Sequence, residues 1–108
     1  IGHAVESANE YRLGHGSSVA AGMCIMARAC AKRGWCDGET ARRIEAVVAA
    51  HGLPISTEFD VDTLFKHAKA DKKRHGDTLN IVAIEAIGSV NIKNLSLDDF
   101  RKLIEQGL

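Results

Sequence analysis

Two histidines stand beside glycines near the start of the chain, in Gly2-His3-Ala4-Val5-Glu6 and in Leu13-Gly14-His15-Gly16. Glycine lets the backbone come close to a ligand, and neutral imidazole is a common ligand of Zn²⁺. A catalytic zinc takes three protein ligands and keeps a fourth position for water or substrate. His3 is placed to begin one helix and His15 to precede the next, so a tight turn can bring both toward one cleft. No H-x-x-x-H or C-x-x-C pattern accompanies them. On spacing alone, ordinary capping or surface histidines explain the pair more readily than a metal or catalytic role. His51, His67 and His75 lack comparable context and read as surface residues.

A second candidate is Asp71-Lys72-Lys73, at the end of a segment already carrying Lys66 and Lys69. Lysines near a helix C-terminus complement the macrodipole, and a charge run is usually a solvated face. The functional alternative is a lysine that holds phosphate or carboxylate. Cys24, Cys30 and Cys36 recur every six residues. Six residues turn a helix by about 600°, so successive thiols point roughly 120° apart and cannot share a metal or pair. Three thiols without paired spacing read as reduced cytoplasmic cysteines, two of them buried and Cys36 exposed.

These residues must be positioned by helices. Residues 2–11 read as a short helix ending near Leu13-Gly14. Ser17 or Ser18 is placed to cap a second helix running to Gly34. Its Val19, Met23, Met26, Ala27 and Cys30 share one apolar face, while Ala20, Cys24 and Ala31 make another. Such a helix is central and buried on most sides. Asp37 opens a third helix with Ile44, Val47 and Val48 inward, closed by Gly52 and Pro54. A fourth starts near Asp60 and presents Val61, Leu64, Phe65 and Ala68. The β-branched run from Leu79 to Ile84 and the stretch from Val90 to Ile92, separated by Gly88, predict a hairpin. Ser96 with Asp99 resembles a capping box opening a last helix through Phe100, Leu103 and Ile104. The expected fold is mainly α, a multihelical bundle with one small β-hairpin, in a single domain over residues 1–108.

Composition agrees with a globular helical domain: 45% of residues are hydrophobic and a single proline is present. Fourteen basic and fourteen acidic side chains cancel, which leaves no global field to attract nucleic acid or an anionic membrane. The apolar stretch from Val19 to Ala31 is interrupted by Arg28 and is shorter than the ~20 residues of a membrane span. No charged-then-apolar leader is visible, and the chain enters directly into motif-like sequence at Ile1-Gly2-His3. That start suggests a fragment of a longer protein.

Gly2-His3-Ala4-Val5-Glu6, then His15-Gly16 followed by Val19-Ala20-Ala21-Gly22-Met23, then Asp71-Lys72-Lys73, resemble 3-dehydroquinate synthases in order and approximate spacing. The resemblance covers essentially the whole chain. It implies the helical C-terminal domain of an enzyme that converts 3-deoxy-arabino-heptulosonate 7-phosphate to 3-dehydroquinate plus phosphate in the shikimate pathway. His15 corresponds to a metal-ligand histidine of that family. His3 corresponds to an active-site histidine that contacts the substrate phosphate and assists proton transfers. Lys73, or its neighbour Lys72, corresponds to a lysine that binds the substrate's anionic groups. Ser17 departs from the pattern, standing where the family usually has Glu.

The resemblance further implies tightly held NAD, zinc or cobalt, a phosphorylated sugar-acid substrate, a cytoplasmic enzyme and a homodimer. The other metal ligands and the Gly-rich NAD-binding N-terminal domain would lie before Ile1, so the fragment alone is expected to bind neither cofactor tightly and to be inactive. Two related alternatives are the C-terminal domain of an iron-type alcohol or glycerol dehydrogenase and a cyclitol synthase. An alternative of another class is a non-catalytic helical interaction module.

Overall fold

The computed structural model describes residues 1–10, 12, 14–70 and 78–108. Five helices and a two-stranded antiparallel ribbon run in the order α1 (Gly2–Ala8), α2 (His15–Lys32), α3 (Gly38–Ala50), α4 (Val61–Lys69), β1 (Thr78–Ala86), β2 (Ser89–Ser96) and α5 (Leu97–Gly107). No helix among the described residues is long and apolar enough to cross a membrane. The expected mainly α fold with one hairpin is what the chain adopts.

α2 is the central element, packed against α1, α3, α5 and β1. Ala21, Cys24, Ile25, Ala27, Ala29 and Cys30 on it are fully buried. Its buried side chains are mostly small, which lets neighbouring backbones come close. A Cβ on Gly22 would stand 2.6 Å from the Cα of Gly2, and one on Gly107 would stand 2.2 Å from the carbonyl oxygen of Ile25. α1 and α5 are therefore both seated on α2 through glycines. The main core joins Val5, Ile25, Leu64, Ile81, Phe100, Leu103 and Ile104; Ala20, Cys24 and Val48 form a smaller cluster under α3.

Side-chain ties complete the packing. Arg28 donates from Nε to the Gly107 carbonyl at 2.7 Å and from one Nη to Glu45 at 2.7 Å and the Ile55 carbonyl at 2.9 Å. Arg33 reaches Gln106 and both carboxylate oxygens of Asp99, and its guanidinium lies over Trp35. The last helix starts as the sequence predicts: Ser96 Oγ accepts from the Asp99 N–H at 3.1 Å. Asp60 caps α4 by accepting from the Thr63 N–H at 2.8 Å, a bond that lowers its carboxyl pKa.

Several local expectations are corrected. α1 ends at Ala8. The N-cap of α2 is Gly14 at φ 94°, a value that glycine adopts without strain, so the helix begins at His15. Ser17 and Ser18 thus sit inside the helix, and the Ser18 hydroxyl is buried without a hydrogen-bond partner among the described residues. Val19 and Met23 are 38% and 48% exposed because that side of α2 lines an open cleft. Val47 faces outward, and Cys36 is half-buried rather than exposed. The strands extend past the predicted runs. Val82 pairs with Ile92 and Ile84 with Val90; Ile81, Ala83 and Leu95 face the core, and Val82, Val90 and Ile92 are exposed.

Candidate functional site

The two motif histidines meet. Gly22 admits the start of α1 against α2, and this contact fixes where His3 stands. Gly14, at φ 94°, is the N-cap from which His15 opens α2 beside it. The imidazole centroids are 6.5 Å apart, edge to face. Both rings are largely in solvent, at 69% and 71% side-chain exposure.

Between them lies a carboxylate that the sequence reading assigned no role. Glu6 Oε2 is 3.1 Å from His15 Nδ1 and 4.0 Å from His3 Nδ1, and the Glu6 side chain is 12% exposed. The shorter distance is a hydrogen bond; the longer is an ion-pair distance that counts when His3 is protonated. A signal for Glu6 was present, since i and i+3 share a helix face and place Glu6 under His3. Its reach to His15 depends on how α1 crosses α2.

His3 also lines a cleft of about 750 Å³ bounded by α1, α2, α4 and the hairpin, with Ser7, Met23, His67, Asn80 and Val82 among its walls. His67 corrects its reading as a surface residue. It is half-buried, and its Nδ1 lies 2.8 Å from Ser7 Oγ, tying α4 to α1. His51 is exposed and bonds to the Val47 carbonyl of its own helix. Lys72, Lys73 and His75 lie outside the described residues. Among the described residues, no group of three or more His, Cys, Asp or Glu side chains is arranged to hold a metal.

The comparisons with known proteins fit this geometry. Residues 1–74 match the family model described as 3-dehydroquinate synthase C-terminal. A 3-dehydroquinate synthase of Dehalococcoides mccartyi is 32% identical over 98% of this chain and 30% of its own length. That of Streptococcus pneumoniae is 34% identical over 94% and 29%, and that of Dictyoglomus turgidum 31% over 99% and 31%. The chain thus spans less than a third of the curated relatives it matches. A solved 2-deoxy-scyllo-inosose synthase, complexed with carbaglucose-6-phosphate, NAD⁺ and Co²⁺, shares the fold at a TM-score of 0.75 and 20% identity, over 99% of this chain and 33% of that one. On its motifs, its fold and these matches, the chain belongs to the 3-dehydroquinate synthase C-terminal family.

Proposed function

We propose that this domain is the metal- and substrate-side part of an enzyme that converts 3-deoxy-arabino-heptulosonate 7-phosphate to 3-dehydroquinate and phosphate, in the shikimate pathway. The observation that carries the reading is the meeting of His3 and His15, 6.5 Å apart, on two motifs of the family. An N-terminal domain completes the enzyme. That domain holds NAD, a reading supported by the solved synthase of the same fold, which is complexed with NAD⁺. The whole enzyme works as a cytoplasmic homodimer.

The chemistry of the donors fits a divalent metal at His15. Glu6 occupies Nδ1, which leaves Nε2 to coordinate zinc or cobalt. Other ligands must come from outside the described residues, which offer no three-donor group. When bound, the ion supplies Lewis-acid polarisation of a substrate hydroxyl. His3, on the cleft wall, binds the substrate phosphate and moves protons while it departs. Lys73 or Lys72 holds the anionic groups; neutralising the true contact costs about 1.5–3 kcal/mol, roughly ten- to a hundredfold in kcat/KM.

The test is phosphate release by the full-length protein, supplied with NAD and Zn²⁺ or Co²⁺. Stoichiometric formation of 3-dehydroquinate from the heptulosonate phosphate supports the reading. Turnover of glucose 6-phosphate instead would assign a cyclitol synthase. Oxidation of glycerol without phosphate release would assign a dehydrogenase.

A further inference from the structure

The arrangement of Glu6 between two solvent-facing imidazoles is unusual for a surface ion pair. A glutamate recruited by surface charge extends into water beside its partner, and the pair contributes little. Here the carboxylate is the inner group at 12% exposure, and the rings it touches are the outer groups at 69% and 71%. α1 fixes the Glu6 backbone by seating on α2 through Gly2 and Gly22, so the carboxylate is held from below.

A carboxylate can only accept a hydrogen bond. At 3.1 Å from Glu6 Oε2, Nδ1 of His15 must therefore carry the proton, and the lone pair must be on Nε2. A histidine free in water prefers the opposite tautomer, with the proton on Nε2. We propose that Glu6 is a positioning residue: it locks His15 in the Nδ1–H tautomer and holds its ring so that Nε2 faces outward as a ready donor for a divalent cation. The same oxygen stands 4.0 Å from His3 Nδ1, too far for a hydrogen bond, so the neutral ring that Glu6 orients is that of His15. The inference rests on the reading of His15 as a metal ligand. A ligand imidazole whose other nitrogen is bonded to a carboxylate is fixed in orientation and made more basic, and loss of such a partner weakens metal binding 10- to 100-fold.

Two measurements test it. Long-range ¹⁵N–¹H correlation spectra of this chain, taken at a pH where imidazole is neutral, report which nitrogen of His15 is protonated. The Nδ1–H form is expected in the wild type and in Glu6→Gln, which keeps an acceptor oxygen; Glu6→Ala is expected to revert mainly to Nε2–H. An Nε2–H His15 in the wild type would overturn the proposal. In the full-length protein, chelator competition gives the affinity for Co²⁺. Glu6→Ala is expected to weaken it about 10- to 100-fold, with most of the loss recovered in Glu6→Gln. Equal affinity in wild type and Glu6→Ala would overturn the positioning role alone. A wild-type full-length protein that takes up no Co²⁺ would overturn the assignment of His15 as well.

Discussion

Gly22 of α2 lies against Gly2 of α1 so closely that a Cβ on Gly22 would stand 2.5 Å from the Gly2 nitrogen and 2.6 Å from its Cα. Both atoms are backbone and cannot rotate away. Gly22→Ala must push α1 off α2, at about 1–3 kcal/mol of overpacking strain. Thermal unfolding should fall by roughly 4–8 °C for each kcal/mol. Because α1 carries His3 and Glu6, the His15 imidazole signals should shift as well. An unchanged melt would mean that the helices do not cross at these glycines.

Two further substitutions in α2 should move stability in opposite directions. Ala27 is fully buried, so Ala27→Asp places an unpaired carboxylate in the core. That costs several kcal/mol, enough to lower Tm by more than about ten degrees or abolish the transition. Ser18 is equally buried, but its hydroxyl has no partner among the described residues. Ser18→Ala removes an unsatisfied polar group and improves helix propensity, so Tm should rise by several degrees. A drop in Tm for Ser18→Ala would reveal a bond to that hydroxyl.

The Arg33–Asp99 tie should appear in the pH dependence of stability. Arg33 hydrogen bonds hold the Asp99 carboxyl below the usual aspartate range. A group depressed in the folded state contributes its stability fully above the unfolded pKa, near 3.9, and loses it as pH falls through the lower folded value. Urea midpoints of the wild type should therefore approach those of Asp99→Asn as pH drops below about 4. A constant difference across that range would exclude the carboxylate as the source.

Thiol reactivity should follow burial. Cys24 and Cys30 are fully buried, and desolvation raises both thiol pKa values. Cys36 is half-buried, with its pKa also raised mainly by burial. With an aromatic disulfide reagent at neutral pH, Cys36 should react first, and the other two only after denaturation. Three equally fast thiols would contradict the packing of α2.

The caps of α4 and α5 and the hairpin around Gly88 are legible in the sequence because each rests on contacts within a few residues. The apolar stripe of α2 is legible as a helix but not in its exposure. Val19 and Met23 have the same residue types as a buried face, and whether anything covers them depends on elements far along the chain. The candidate site divides in the same way. His3 and His15 are visible as motif residues flanked by glycine. Glu6, Ser7 and His67 gain their places from the crossing of α1 with α2 and α4, which no local pattern encodes.

The most direct test compares His15→Ala with His3→Ala in the full-length protein, measuring bound metal and phosphate release together. His15→Ala should lose metal and nearly all turnover at once, since a catalytic site cannot spare one of three protein ligands. His3→Ala should keep its metal while phosphate release slows by roughly 10²–10⁴-fold, the usual worth of a positioned acid–base group. Wild-type metal content and wild-type phosphate release in both variants would contradict the assignment of this histidine pair to the chemistry.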